Sequence, residues 1–502
     1  MAKRVLVQRH TAALAALLAA ASLLTTAVRA EEFIAPGDTG MRIDLESLND
    51  AGVLNIPLTA WPMSSADIAS ALDVIDEAAL DARSRDAARR IRARLEPSGT
   101  PAGARAYGSL AGAYSPLILR GFEDTPRAEG EARAGIAWGG ERVFLRLQGT
   151  LAANPADGDD VRPDGTYVGI HVGNWVASAG WQDRWYGPGR DSSLVLSTNA
   201  RPPPGIMLQR RHSTPFESRW LSWIGPWTLT TFMAGLHDER EIDDAWQFGI
   251  RGSFRPLPGL EIGLSRAAIW CGDGRPCDVS TFVDLLLGND NRGANVAAED
   301  EPGNQLGGFD LRWRLPADIP AAVYLQWIGE DGRPGAGLVG SWLRQFGVEA
   351  WGEAGTLSHR SYVEVSDTTC REGGLGFSDV KPDCGYEHGL YRTGYRYEGR
   401  SLGHSGDSDL KSIVVGSTLL WPDGDQLGLV LRYRDINRYG TDTGRHTLSQ
   451  SPQEVADILL TLDRQTRIGR LRAGIGYRHV DGAAGGALSP SEAQAYVVWN
   501  WP

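Results

Sequence analysis

From about residue 105 to the C-terminus, apolar and polar side chains alternate with a period of two, and the polar side carries arginine at regular steps. In "LGLVLRYRD", Leu427, Leu429, Leu431 and Tyr433 share one face, while Gly428, Val430, Arg432 and Arg434 share the other. "GRLRAGIGYRH" repeats the pattern, with Leu471, Ala473, Ile475 and Tyr477 opposite Arg470, Arg472, Gly474, Gly476 and Arg478. In "GFDLRWRLP", Phe309, Leu311, Trp313 and Leu315 oppose Asp310, Arg312 and Arg314; in "RVFLRLQG", Val143, Leu145 and Leu147 oppose Arg142, Phe144, Arg146 and Gln148. Successive strand side chains point to opposite faces. A continuous apolar face on many strands, backed by a charged one, fits a sheet closed on itself with lipid outside and water inside. A soluble sandwich also alternates, but does not carry the pattern as one sheet through a stretch of this length. Trp313, Trp327, Trp421, Trp499 and Trp501 fall near strand ends, where an interfacial aromatic girdle belongs.

Connection lengths give a second test, because outer-membrane barrels alternate tight periplasmic turns with long outside loops. Tight turns are expected at 139–141, 173–174, 255–259, 316–320, 422–425 and 463–467. Between them fall long loops: "NPADGDDVRPDG", "WYGPGRDSSLVLSTNARPPPG", "HDEREIDDA", "CGDGRPC" through "EDEPGNQ", "EDGRPGAG", the Cys370 to Asp409 region and the stretch after Tyr439. This rhythm, with weaker strands near 206–212 and 339–346, predicts an all-β transmembrane barrel of about 18 antiparallel strands over residues 101–502. "AQAYVVWNWP" reads as its closing strand.

Residues 1–30 read as a signal peptide: a basic start, the apolar "TAALAALLAAASLL" and a small-residue exit, with cleavage near Ala30. The apolar run is short of the about 20 residues of a spanning helix. Losing Lys3, Arg4, Arg9 and Arg29 takes the formal charge from −12 to −16, a poor balance for nucleic-acid binding. Residues 31–100 form a small helical element, expected in the periplasm. Its segments are "GMRIDLESLNDAG", "SSADIASALDVIDEAAL" with a capping Ser, and "SRDAARRIRARLE". So small an element must pack on something larger.

Cys271 and Cys277 form one local pair and Cys370 and Cys384 another; an oxidising compartment permits both as disulfides. Their spacing does not suit a zinc site, and no H-E-x-x-H, G-x-S-x-G or P-loop pattern is present. No metal, cofactor or catalytic residue is therefore expected. Acidic pairs such as Glu330 with Asp331, or Asp243 with Asp244, read as loop acids rather than glycosidase carboxylates. Two features stand out as binding candidates. The lumen-facing arginines 312, 314, 432, 434, 470, 472 and 478 either hold an acidic polymer or pair with lumenal acids. The segment around "WYGPGRDSSLVLSTNARPPPG" offers Trp181, Arg184, Trp185, Tyr186, Arg190, Asn199 and Arg201, aromatic faces and planar donors suited to sugar rings or equally to interfacial anchoring, on an irregular run that fits the outer rim or the inside of the barrel.

The stretches "GVLNIPLTAWPMSSADI", "WYGPGRDSSLVLSTNARP", "WCGDGRPC", "GGFDLRWRL" with "YLQWIGEDG", and "YRYEGRSLGHSGDSD" resemble the capsule assembly Wzi family of outer-membrane proteins. The resemblance implies an eighteen-stranded barrel with a periplasmic helical bundle, acting as a lectin that attaches capsular polysaccharide to the cell surface. The expected function is thus a non-enzymatic outer-membrane lectin of a Gram-negative bacterium. Its partners would be capsular or extracellular polysaccharide, outer-membrane lipid and the barrel-assembly machinery, and the chain is expected to be monomeric. The alternative is a porin or gated channel whose lumenal arginines set anion preference.

Overall fold

The computed structural model describes residues 31–95, 105–287, 303–316, 319–330, 340–372, 379–440, 445–482, 486–488 and 491–501. Residues 1–30, expected to be a signal peptide, and Pro502 lie outside them. Eighteen antiparallel strands among the described residues close into one barrel. They are β1 Arg105–Tyr114, β2 Ala128–Gly139, β3 Val143–Pro155, β4 Tyr167–Val172, β5 Trp175–Trp181, β6 Pro204–Arg210, β7 Trp227–Leu236, β8 Ala245–Leu257 and β9 Leu260–Trp270. There follow β10 Gln305–Arg314, β11 Ala321–Glu330, β12 Ser341–Ala354, β13 Leu357–Glu372, β14 Lys411–Leu420, β15 Gln426–Ile436, β16 Gln453–Thr466, β17 Gly469–Gly482 and β18 Ser491–Trp501. Each strand pairs with its neighbours in sequence, and β18 closes on β1 with Ala495 opposite Tyr114 and Trp501 opposite Gly108. A closed sheet leaves no edge, which is what a strand structure needs in lipid.

The alternation resolves as the sequence predicts. Leu429, Leu431, Tyr433, Ile475, Tyr477, Phe309 and Trp313 are exposed on the outer wall, while Arg432, Arg434, Arg472, Arg478, Asp310 and Arg312 are buried inside. Among the described residues, no helix is long and apolar enough to cross a membrane. Most turns fall where expected, with three differences. The strand before the last tight turn continues to Thr466, because Asp463 points inward and receives Arg470 and Arg472. A turn at Gly355, with φ of 65°, joins β12 to β13. And β6 joins β7 through residues 211–226, the longest connection at the tight-turn end.

Helices α1 (Thr39–Asp50), α2 (Ser65–Asp73) and α3 (Ala82–Leu95) fill the tight-turn end of the lumen. Asp38 caps α1 by accepting the Met41 N–H at 2.9 Å, and Gly52, with φ of 72°, follows its end. Ser64 precedes α2 without a side-chain capping bond, and α2 ends at Asp73, short of Ile75. Met41, Leu45, Leu48, Ile68, Leu72, Ala88 and Ile91 form one apolar core with Trp61, Phe122 and Trp185. The barrel wall holds this body directly: Glu261 of β9 accepts the N–H groups of Leu58 and Thr59 and the Thr59 hydroxyl. Arg90 of α3 reaches the Pro422 carbonyl in a tight turn.

The structure joins Cys271 to Cys277 and Cys370 to Cys384, with Cα separations of 4.8 and 5.9 Å, within the range of bridged cysteines. Cys370 belongs to the end of β13 rather than to a loop, so its bridge ties the following excursion to the wall. A maleimide added to the unreduced, unfolded protein should therefore modify none of the four cysteines, and all four after reduction; mass spectrometry reads the difference.

Candidate functional site

The segment between β5 and β6 does not lie on the surface. It descends into the lumen and makes a two-residue antiparallel ladder with the N-terminal chain, Trp185 opposite Trp61 and Tyr186 opposite Ala60. Phe122 stands between the indoles, at centroid distances of 5.3 Å from Trp61 and 5.1 Å from Trp185. Glycine is required at 187: its φ is 137°, and a Cβ would come within 2.6 Å of the Gln326 amide. That amide donates to the Tyr186 carbonyl and accepts from the Leu194 N–H, each at 2.8 Å.

Charge fixes the same segment. Glu364 of β13 accepts three successive backbone N–H groups, from Arg190 at 2.7, Asp191 at 3.1 and Ser192 at 3.3 Å, and the Tyr324 hydroxyl at 2.9 Å. Asp191 meets Arg432 at 2.6 and Arg434 at 2.7 Å, and the same two arginines reach Asp457 at 3.0 and 2.9 Å. The Arg190 guanidinium bridges Glu46 of α1 and Glu349 of β12. Arg312 and Arg360 from the wall bind Asp50 of α1, at 2.8 and 2.7 Å, and also Glu349. Arg470 pairs with Asp38 and Asp463, Arg472 with Asp463 and Glu123, and Arg478 with Glu492; Arg314 is half-buried near its tight turn. Buried charge is tolerated only when paired, and here wall and plug supply both signs.

The seven residues expected to contact sugar are therefore placed differently from that expectation. Arg184, Trp185, Tyr186, Arg190, Asn199 and Arg201 are all buried and engaged with other parts of the chain. Arg184 lies 4.0 Å over the Phe232 ring, Asn199 donates to the Ser401 carbonyl at 2.9 Å, and Arg201 binds Asp157, Asp159 and Asp164. Trp181 is half-buried and lines an interior cavity of 180 Å³. Of the acidic pairs, Glu330 is buried, accepting the Tyr386 N–H beside the Cys370–Cys384 bridge; Asp331 lies outside the described residues. Glu330 and these two sulfurs are close enough together for a metal, but sulfurs joined as a disulfide are not thiolate ligands. Asp244 sits 3.2 Å from His237 in an exposed loop.

Above the buried segment, residues 379–410 close the mouth. Ser197 N–H donates to the Leu402 carbonyl and the Tyr386 hydroxyl to the Leu194 carbonyl, both at 2.9 Å, so plug and cap are continuous. Within the cap, Arg396 grips Asp407 and Glu387, and Asp407 also accepts the N–H and hydroxyl of Thr447 at 3.0 and 2.7 Å. Burial alone would raise the Asp407 carboxyl, but Arg396 outweighs it and holds the group well below the usual carboxylate range. Burial pushes the His404 imidazole down to about 3, so this ring is neutral at physiological pH.

On this cap opens a groove of 530 Å³. Asp238, Glu239 and Glu241 line it from the β7–β8 loop, Arg392 and Thr393 from the cap, and Arg445 and Thr447 from the β15–β16 loop, with Arg396 beneath. Planar donors beside carboxylates and hydroxyls suit the vicinal hydroxyls and acidic groups of a sugar chain. A second hollow, of 540 Å³, lies on the rim among Asp435, Arg438, Tyr439 and Glu454. The first lies over the filled mouth and is built by three loops. Sequence reading misses it because its residues come from segments about 50 to 200 positions apart, with no local pattern.

The capsule assembly protein Wzi family model matches residues 111–481. A Klebsiella pneumoniae protein described as an uncharacterized 55.8 kDa protein in the cps region is 31% identical over 338 residues, 66% of this chain, and the chain spans 64% of that relative's length. Among solved structures, the fold is similar to that of Wzi of Escherichia coli, described as an outer membrane protein involved in group 1 capsule assembly and a carbohydrate-binding β-barrel. The TM-score is 0.79 at 24% identity, covering 95% of this chain and 99% of that one. OprD of Pseudomonas aeruginosa, at TM-score 0.43 and 10% identity over 79% of this chain and 94% of its own, is too distant to inform function. With the family pattern extending from β1 to β17, the chain belongs to the capsule assembly protein Wzi family.

Proposed function

We propose that this chain is a non-enzymatic outer-membrane lectin that helps assemble or anchor capsular or extracellular polysaccharide at the cell surface. The observation that carries the reading is an open, polar groove mounted on a cap that continues into a filled lumen. A site for holding a polymer needs a rigid platform facing outward; a pore needs an open passage. Family membership and the carbohydrate binding described for the Escherichia coli protein support the same reading. The tight-turn end, with the helical element 31–100, would face the periplasm after removal of residues 1–30. The barrel-assembly machinery would insert the chain, and it would act as a monomer. Contacts with each sugar would be weak and strengthened by repetition along one polymer.

The porin alternative loses support from the charge pairing, since arginines neutralised by wall and plug carboxylates offer no anion path.

Two experiments test the lectin. A strain lacking the gene should shed its polysaccharide into the medium; unchanged cell-associated polysaccharide would refute anchoring. The double variant Arg392→Ala with Arg445→Ala should bind polysaccharide purified from the same cells at least about tenfold more weakly. Two charge-assisted hydrogen bonds contribute about 1.5–3 kcal/mol each, and about 1.4 kcal/mol is tenfold. Unaltered affinity by surface plasmon resonance would remove the groove from the site.

A further inference from the structure

The connection from β9 to β10 carries a fourth helix, α4 (Val279–Leu287), and it packs on the outside of the barrel. Its Phe282 ring meets Phe248 and Trp270, each at a centroid distance of 5.2 Å, and Leu285 is fully buried against Phe248 and Ala268. These wall residues have outward parity: Phe248 and Ile250 alternate along β8 with Gln247 and Arg251, whose side chains are inside. Arg266, opposite Ile250, also points outward. Its guanidinium donates to the carbonyls of Leu285 and Leu286 at the end of α4 and to the Gln305 side chain. Arginine on a lipid-facing wall is costly, and the unpaired carbonyls ending a helix satisfy it.

Among the described residues, this leaves one face of α4 bare. Val279, Val283 and Leu286, at i, i+4 and i+7, are 79%, 44% and 39% exposed. Asp278 caps the start by accepting the Thr281 N–H at 3.0 Å, and the Cys271–Cys277 bridge tethers the approach to β9. The bare face is continuous with the outer wall, where Trp246 and Leu264 are exposed. The same wall carries a second apolar excursion at its tight-turn end. In the β6–β7 connection Trp220 and Trp223 are 76% and 62% exposed, and Trp223 meets the outward Phe254 at 6.3 Å. Phe248 and Phe254 lie about 20 Å apart along β8, inside the span of an apolar band about 25 Å tall.

We propose that α4 is immersed in the outer leaflet, with Val279, Val283 and Leu286 among the acyl chains. It would strap the β9–β10 loop to the membrane, while Trp220 and Trp223 hold the same wall at the opposite interface. The inference rests on the barrel lying in a membrane and is independent of polysaccharide binding.

Nitroxide labels at Val283→Cys and Leu286→Cys, in the full-length protein in vesicles of phospholipid and lipopolysaccharide, test it. Reference labels sit on the wall at Leu264→Cys and at the mouth at Glu239→Cys. Labels at 283 and 286 should collide with oxygen and be shielded from a water-soluble nickel chelate, as at 264. Chelate collisions equal to those at 239 would overturn the proposal, as would dipolar broadening from a second copy's label. A variant with Val283→Lys and Leu286→Lys, still migrating as a folded barrel on unheated gels, should raise chelate access to a label at Phe282→Cys. No rise there would also count against immersion.

Discussion

The unmodified protein is expected to pass no measurable current, and Asp191→Ala to show discrete conductance steps. Asp191 is buried between Arg432 and Arg434, and these depend on it and on Asp457 for compensation. Removing one partner of a buried pair costs about 3–5 kcal/mol, because the charge left behind stays desolvated. The barrel has its own strand ladder and will not unfold for that sum. The segment carrying Asp191 holds no comparable ladder beyond two residues, so the penalty falls on its seating. Once it lifts, Arg432 and Arg434 face water and the lumen loses its central filling. Planar-bilayer recordings check this, with migration of the unheated protein as the control for barrel integrity. Steps in the unmodified protein would revive the channel reading; silence in the variant would mean that the Glu364 cradle, the Gln326 amide and the Arg190 bridges seat the segment without Asp191.

Trp185→Ala is expected to cost about 3–5 kcal/mol through the cavity it leaves in a packed core. The lost indole touches Phe122 and pairs across the ladder with Trp61, in the core that also holds α1, α2 and α3. The consequence is local opening: faster hydrogen exchange at residues 60–61 and 185–186, and protease cleavage within residues 31–95, while the strands keep their protection. Trp185 cannot touch a polymer, so any fall in polysaccharide retention would come from a cap resting on a loosened plug. Retention unchanged alongside an opened ladder would separate the two bodies.

The barrel was legible because lipid outside and water inside force a repeat of two, which any window near Arg432 or Arg472 displays. The destinations of those arginines were not. Arg432 meets Asp191 across 241 positions and Arg312 meets Asp50 across 262, distances over which no local pattern carries information. For the same reason "WYGPGRDSS" shows its irregular backbone, suited to the outer rim or the lumen alike, but not which of the two it takes, nor that its aromatic and basic groups are consumed inside. A sequence reading that assigns residues 271–305 to one loop also hides α4, although Val279, Phe282, Val283 and Leu286 carry helical spacing. A run of nine residues in a long connection is outweighed by its glycine-rich surroundings.

The unbroken succession from groove to cap to buried segment to ladder to α1 carries a mechanical meaning. On the proposed lectin reading, a polymer held in the groove and tugged by flow would load the Arg396–Asp407 clasp first, then the Ser197–Leu402 hydrogen bond, then the paired tryptophans, and only at the far side the bonds to Glu261. Tension would travel down the middle of the cylinder and reach the opposite compartment, sparing the strands that seal the membrane.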